Sequence, residues 1–409
     1  MTLDIRPVSP DELSPFVRVP TIAFGGDIVP EEEETLRAWL EFDRTLAAFD
    51  GDEVVGSAAA ISYQLTLPGC VTTRAAGVTF VSVLPTHRRR GILSSLMRRQ
   101  LDDVRERGEA LAILYASESL LYGRFGYGLA TTHLDMSIDR RHGQIRPEIG
   151  ASGTLTVPHK EEAESIIPPL FDRLRHLEPG QINRAGVWWT DRFRDPERHR
   201  DGAGPRHYVV HRDDHGVPDG YCVYRIRESW PDGNPANILE LEELIAGTDA
   251  AYASLWRYCL AMDLIADIET HKRPTDEPLR WMLADPRRLR VKRQSDGLWA
   301  RIIDVPSALS ARRYTQEGSI IVEVQDSLRS DTAGRYLLEG GPDGADCRRT
   351  RKSPDLCLDI ADLGAVYLGG VTCSVLARAA RVEEMKTAAL TTADGMFTSP
   401  RAPRCSTGF

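Results

Sequence analysis

The sequence predicts an α/β chain, more fully an α+β multidomain protein, and three observations carry that reading. A strand-like run, GVTFVSVLP, leads into a helix-like stretch at 92–107 and then a second strand-like run, ALAILYAS, which together make a β-α-β unit. The same order of hairpin, strand and helix returns after residue 200. At 409 residues the chain exceeds what one core serves, which predicts two to four domains.

In chain order, apolar Leu36, Trp39, Leu40, Phe42 and Leu46 predict a helix over 35–49 packed on a sheet. AAFDGDEVVGSAAAISYQLTL follows as a hairpin turning at Asp50, Gly51 and Asp52, residue types that accept the positive φ of tight turns. Leu93, Leu96, Met97, Leu101 and Val104 share one face of the next helix, and Gly108 ends it. Near residue 140 the texture turns polar and rich in Gly and Pro (IDRRHGQIRPEIGASGTLTVPH), which predicts a boundary. Beyond it come a helix over 161–180, a long hairpin in RHYVVHRDDHGVPDGYCVYRI, a strand NILELEELIA and a helix AAYASLWRYCLAMD. Between that strand and helix stands AGTDA, without arginine, so this part reads as a repeat of the first that has lost its basic turn.

LWARIIDVPSALSARRY opens a third part as a strand running into a short helix. Hairpins in GSIIVEVQDS and GRYLLEGG, the segment LCLDIADLGAVYLGG and the helix-like VTCSVLARAARV continue it. The last stretch, TTADGMFTSPRAPRCSTGF, reads as a loose polar tail. The predicted domains are 1–143, 144–297 and 298–409.

Composition narrows function by exclusion. A net charge of −9 argues against nucleic-acid or anionic-membrane partners, because both are held by Lys and Arg. No apolar run approaches the roughly 20 residues that span a bilayer. MTLDIRPVSPDELSP lacks a basic region followed by an apolar one, which predicts no signal peptide and a cytoplasmic location, with secretion by another route left open. The 7 cysteines are odd in number and include no C-x-x-C pair, which predicts free thiols and no zinc site. His207, His211 and His215 read as a surface row, and no acidic ligands stand near them at metal spacing, so no metal site is predicted. Trp188 and Trp189 read as core or subunit-interface aromatics.

Arg88, Arg89, Arg90 and Gly91 lie between a strand end and a helix start. Free N–H groups there, aligned with the helix dipole, attract an anion, and Gly91 lets a phosphate approach the backbone. Cationic side chains at a helix N-terminus oppose the dipole by ~0.3–1 kcal/mol, a conflict that a bound pyrophosphate removes. By itself the turn reads equally as a solvated basic loop. In its place after a strand, the run Arg88 to Leu93 resembles the R/Q-x-x-G-x-G/A loop of GNAT-fold N-acetyltransferases. YASESLLYGRFGYGLAT, residues 115–131, taken with VSVLPTHRRRG, resembles the Eis (enhanced intracellular survival) family of actinobacterial N-acetyltransferases. That family shares S-E-x-x-x-Y-G-R-F-G-[YF]-G, and in it Leu93 is the expected residue. QSDGLWARIIDVPSAL and LGAVYLGG carry the resemblance into the C-terminal part.

The resemblance implies two tandem GNAT-like domains, the second without the cofactor loop, and a C-terminal sterol-carrier-like domain. It implies acetyl transfer from acetyl-CoA to an amine of a small polycationic molecule (aminoglycoside-like, a polyamine or a lysine side chain), with no metal, in a homo-oligomer expected to be a homohexamer. By position, Val81 and Val83 would pair with the pantetheine arm, and Arg88, Arg89, Gly91, Ile92 and Leu93 would hold the phosphates. Ser117 and Tyr122 would lie near the coenzyme sulfur, Tyr122 as general acid, with the carboxylate of the terminal Phe409 as general base. From its residues alone, Tyr122 reads first as a core tyrosine clustered with Phe125 and Tyr127, and only the resemblance turns the reading to catalysis. Phe24, Asp27, Thr79 and Phe80 would line the acceptor pocket.

Three departures bear on the acceptor. Gly408 stands where many aminoglycoside-acetylating members are acidic, Gly26 replaces an acidic pocket residue, and Leu36 replaces a pocket tryptophan. Each lost charge-assisted hydrogen bond removes about 1.5–3 kcal/mol of recognition. Glu31 to Glu34 read either as a compensating acidic patch or as a solvated helix cap. The competing class is a lipid-binding or host-interaction protein with a vestigial first domain. Joint retention of the arginine turn, Tyr122 and Phe409 argues against it.

Overall fold

The computed structural model describes residues 4–27, 29–150 and 152–409. Met1–Leu3, where the signal-peptide reading begins, Ile28 of the pocket loop and Ala151 lie outside the described residues. The chain forms two compact units: residues up to Thr131 with Gly297–Pro400 and Phe409, and Thr132–Asp296 with Arg401–Gly408.

The first unit contains the strands β1 (Asp4–Arg6), β2 (Thr45–Asp50), β3 (Glu53–Leu67), β4 (Val71–Val83), β5 (Leu111–Tyr115) and β6 (Gly128–Leu129). They form one sheet in the order β1-β2-β3-β4-β5, then the strand Leu298–Ile302, then β6. Its helices include α1 (Leu13–Phe24), α2 (Pro30–Trp39), α3 (Ile92–Glu106) and α4 (Ser119–Gly123). The crossover helix α3 buries the predicted face, with Leu96, Met97, Leu101 and Val104 at most 1% exposed. It lies close on the sheet because Gly56 has no side chain: a Cβ there would stand 2.9 Å from Ile92 Cγ2. The hairpin turns where the sequence places it, Asp50 facing Glu53 and Gly51 at φ 63°.

The helix expected over 35–49 ends at Trp39, and Thr45–Asp50 is a strand. Thr45 to Phe49 are all buried, and a short apolar run covered on both faces has no periodicity to tell strand from helix. The second sheet begins ahead of the boundary expected at 143, whereas the chain leaves the second unit between Asp296 and Gly297, beside the boundary expected at 297. β7 (Thr132–Asp139) belongs to the second sheet, and Leu298–Ile302 pairs with β5 and β6 in the first. Polar texture marks the loop after β7, whereas the sheet changes inside the uniform run GLATTHLDM, where composition is silent.

The second unit continues with β8 (Thr154–Thr156), β9 (His207–Arg212), β10 (Pro218–Arg227), β11 (Asn237–Ala246), β12 (Ile265–Arg273) and β13 (Leu289–Asp296). The order is β13-β7-β12-β11-β10-β9-β8. Read from β8, this repeats the first sheet, with five strands in chain order followed by one from another part of the chain. One face packs on the helix Asp249–Ala261 through Leu255, Trp256 and Cys259, the other on Phe171, Trp189 and Phe193. The AGTDA turn is closed by its own residues: Thr248 Oγ1 accepts from Ala251 N at 3.1 Å and donates to Asp219 at 2.9 Å. The expected surface histidine row is corrected at His211, which is 1% exposed and bonded to Asp219 (2.5 Å) and the Ser152 carbonyl (2.7 Å).

Nor is the end of the chain loose. Ala389–Phe397 is a helix, and Arg404 and Thr407 are buried. In the second unit Arg404 donates to both oxygens of Glu178, at 3.0 and 3.2 Å, and Ser406 donates through Oγ to Gln181 at 3.0 Å. Arg184 Nε donates to Thr407 Oγ1 at 2.9 Å. Single polar residues in a tail carry no sequence signal of the partners that fix them.

After β14 (Leu298–Ile302), the third part forms its own sheet from β15 (Gly318–Gln325), β16 (Gly334–Gly341), β17 (Gly344–Arg349), β18 (Leu356–Asp359) and β19 (Val382–Glu384), ordered β17-β16-β15-β18-β19. The helix Ile360–Val366 packs backbone to backbone on the first sheet. A Cβ at Gly128 would collide with the Ala361 carbonyl, and one at Gly364 with that of Ala300.

Within the second unit, Arg184 and Glu243 form a buried two-pronged pair (2.5 and 3.1 Å), and Tyr221 donates to the same carboxylate at 2.8 Å. Arg184 holds the Glu243 carboxyl down at about 2, against the opposing effect of burial. Glu243→Ala leaves Arg184 buried and unpaired and is expected to cost about 3–5 kcal/mol in urea unfolding. Because the folded pKa is depressed, the stabilisation is complete above the unfolded value near 4.3 and is lost as pH falls towards 2. Glu243→Gln should therefore show a flatter acid limb of stability than the unsubstituted chain.

Candidate functional site

β4 pairs with β3 as far as Val83 opposite Gly56, but with β5 only from Ala75 to Gly77. Past Gly77 the two parallel strands part, and Val78–Val83 have no strand partner on that side among the described residues. A backbone edge left open inside a sheet must find hydrogen bonds elsewhere, and an extended amide-bearing chain supplies them. The register slips between Ser57/Ser82 and Ala59/Thr79, so Phe80 and Val81 both stand opposite Ala58. Phe80 takes φ 56° in this bulge, held by the Ser57 hydroxyl, which donates to its carbonyl at 2.7 Å. Val81 and Val83, the predicted pairing residues, lie on this stretch and are half-buried.

The strand ends in the arginine turn. Arg89 and Gly91 have φ 62° and 81°, and a Cβ on Gly91 would meet nothing within 4 Å, so the turn opens outward. Arg88, Arg89 and Arg90 are all exposed, and Arg90 also donates back to the Thr86 carbonyl at 3.1 Å. His87 braces the turn between Thr86 (2.8 Å) and Asp50 (3.3 Å). The side chain of Ile92 is buried under the sheet, so what it can offer an anion is its backbone. Leu93 likewise packs on the core. Turn and open edge together make a cationic, amide-lined slot at the start of a 15-residue helix.

β5 delivers the next groups. Ser117 follows its end, and Tyr122 sits in the short helix α4, 4% exposed, hydrogen-bonded to the Ser117 side chain. Burial pushes the Tyr122 phenol above its ordinary 10.0, the Ser117 hydrogen bond pulls it back, and the charge of Glu118 adds to the rise. The group is therefore a neutral phenol at ordinary pH. Its ring meets Tyr127 edge-on at 6.1 Å in the aromatic cluster foreseen from sequence.

Phe409 lies with its ring 5.1 Å from that of Tyr63 on β3 and 5.3 Å from that of Tyr115 at the end of β5. Gly77 makes the space: a Cβ there would strike the Tyr63 ring and come within 3.1 Å of Phe409 Cε2. Tyr63, Gly77 and Tyr115 escaped the sequence reading, because one aromatic on each of two strands carries no motif. The glycine at the point where β4 and β5 part was the available signal.

The acceptor-side residues are less completely gathered. Thr79 and Phe80 are half-buried on the bulge, while Phe24 is 63% exposed at the end of α1 and Asp27 is exposed beyond it. The Phe80 ring packs instead between Phe16 (6.0 Å) and Trp39 (6.3 Å). Trp39 stands three residues after Leu36 on the same helix face and supplies an aromatic surface that Leu36 does not. The acidic run follows the cap reading in part: Glu32 caps the amide of Val29, and Glu33 accepts from Ser14 at 2.6 Å.

Comparison with known proteins agrees with this geometry. Residues 4–130 match the acetyltransferase (GNAT) domain family, residues 180–302 match a second acetyltransferase (GNAT) family, and residues 305–406 match the sterol carrier protein domain. An uncharacterized N-acetyltransferase of Streptomyces avermitilis is 39% identical over 411 residues, spanning 100% of both chains. The N-acetyltransferase Eis of Mycobacterium tuberculosis is 33% identical, over 98% of each. The crystal structure of Eis1 from Mycobacterium abscessus superposes with a TM-score of 0.87 at 34% identity, covering 100% of both chains.

Gly77→Val is expected to push the Phe409 ring off Tyr63 and Tyr115 at a cost of about 1–3 kcal/mol in stability. Carboxypeptidase should then release Phe409 faster than from the unsubstituted protein. Equal release rates in the two would mean that the glycine does not seat the ring.

Proposed function

The chain belongs to the Eis family of GNAT N-acetyltransferases, and from that premise we propose that it moves the acetyl group of acetyl-CoA onto a primary amine of a small polycationic molecule, with Tyr122 as general acid and the Phe409 carboxylate as general base. The observation that carries this reading is the segment Tyr115–Tyr122 at the end of β5. It seats the ring of Phe409 on Tyr115 and holds the Tyr122 phenol beside Ser117, where β4 and β5 have parted. The parted edge of β4, with Val81 and Val83, suits the amides of a pantetheine arm. The exposed Arg88 and Arg89, the open Gly91 and the backbone of Ile92 and Leu93 suit a pyrophosphate.

The chemistry is direct transfer. The carboxylate of Phe409 takes a proton from the acceptor ammonium, and the freed nitrogen attacks the thioester carbonyl, forming the N–C bond. Backbone N–H groups of β4 stabilise the oxyanion. As the C–S bond breaks, the Tyr122 hydroxyl gives its proton to sulfur and coenzyme A leaves as the thiol, while the second proton of the attacking nitrogen passes through solvent to the Tyr122 phenolate and leaves a neutral amide. Burial serves this role, because a phenol raised above its ordinary value stays protonated at ordinary pH and is ready to donate. On the acceptor side, Trp39, backed by the Phe80 ring, offers an aromatic face to an ammonium, and Thr79 and Asp27 offer polar contacts.

Tyr122→Phe should lower kcat about a hundredfold or more with little change in KM for acetyl-CoA. In the unsubstituted enzyme the alkaline limb should lie higher than a free phenol would set it, the direction of the Tyr122 shift. Removing Phe409, or adding one residue after it, should nearly abolish turnover while acetyl-CoA still binds by calorimetry. Full activity in all three variants would sink the mechanism. Thiol release with polyamines, aminoglycosides and lysine peptides identifies the acceptor, and Trp39→Leu should raise KM for the amine alone. No release with any of them would defeat the transferase reading.

A further inference from the structure

We propose that Arg301, a buried cation on β14, is a positioning residue for the proton donor, and that through it the sterol-carrier-like part holds the turn that carries Tyr122. This rests on the assignment of Tyr122 made above. Arg301 is 0% exposed. Its carboxylate partner is Asp326, in the loop after β15, which it reaches through Nη2 at 2.5 Å. Asp326 is itself fixed by the amides of Leu328 (3.0 Å) and Arg329 (3.1 Å) and by the Thr332 hydroxyl.

The rest of the guanidinium lies on the turn after α4. A Cβ at Gly126 would stand 2.8 Å from Arg301 Cζ and 2.9 Å from Ile360 Cγ2, and Gly126 has φ 77°. The turn is thus clamped between an arginine of β14 and an isoleucine of the C-terminal part, and only glycine fits. The clamp reaches Tyr122 through the backbone, because the amides of Phe125 and Tyr127 donate to the Tyr122 carbonyl at 3.0 and 3.2 Å. It also reaches Tyr122 through the ring of Tyr127.

For stability alone this is a poor arrangement. Arg301 Nε and Nη1 and the Tyr127 hydroxyl are buried with no hydrogen-bond partner among the described residues. A buried ion pair with spare donors is commonly matched or bettered by apolar residues of similar size. What the arginine supplies instead is a flat, rigid group anchored at one end by Asp326 and covering Gly126 at the other.

The test compares Arg301→Met/Asp326→Asn, which removes both charges together, in the unsubstituted and the Tyr122→Phe backgrounds. Alone, the pair should lower kcat about tenfold while KM for acetyl-CoA changes less than about twofold, and in the Tyr122→Phe background it should change kcat little. Arg301→Lys, which keeps the charge, should restore part of the loss. The proposal is overturned by an unchanged kcat, by an equal loss on top of Tyr122→Phe, or by a loss confined to KM. Should the double variant not fold, Thr332→Val weakens the same anchor and should lower kcat about threefold, again only when Tyr122 is present. No effect of Thr332→Val would then overturn it. Tyr122→Phe without effect defeats the acid assignment itself, whereas a loss without coupling defeats only the positioning role.

Discussion

The first unit is organised around the place where β4 leaves β5. Three residues of parallel pairing, Ala75 to Gly77, hold the sheet together, and beyond them the strand runs on to Val83 against β3 alone. An edge opened within a sheet is costly unless its amides and carbonyls are satisfied, so this geometry implies a ligand that completes it. The bulge at Phe80 and Val81, the arginine turn and the start of α3 all follow from continuing β4 along that opening.

Glycines make the surrounding contacts possible, each for a different neighbour. Gly56 admits α3 to the sheet, Gly77 admits the rings of Tyr63 and Phe409, and Gly126 admits the guanidinium of Arg301. Because a side chain at any of them would strike a buried neighbour, their positions record contacts that no pairwise pattern along the chain reveals. The C-terminal part contributes a strand, a buried cation and the final aromatic residue to the first unit, which makes it more than an appended domain.

The second unit shows what the same sheet looks like once the anion turn is gone. Thr248 and Asp219 close the corresponding helix start with their own hydrogen bonds, where the first unit leaves Gly91 open and three arginines exposed. Its buried charges are instead spent on structure, with Arg184 and Glu243 paired and the tail residues Arg404, Ser406 and Thr407 fastened to Glu178, Gln181 and Arg184. The two helix starts are thus finished differently, one closed by its own side chains and the other left open beside a basic turn.

Much of this was legible in the sequence, for physical reasons. The β-α-β unit, the repeat and the arginine turn are local patterns, and periodicity, turn chemistry and charge report them directly. The segment Ser117 to Gly128 pointed to Tyr122 only through its resemblance to a known family, since the residues alone read as a core tyrosine among aromatics. Local patterns failed where burial on both faces erased periodicity, as at Thr45–Phe49, and where strands change sheets without a change of composition, as at β7 and β14. The tertiary structure alone decided that Tyr63, Gly77 and Tyr115 seat Phe409, that Trp39 stands by Phe80, and that Arg301 covers Gly126. Those partners lie tens to hundreds of residues apart, and a contact between distant residues exists only once the chain has folded.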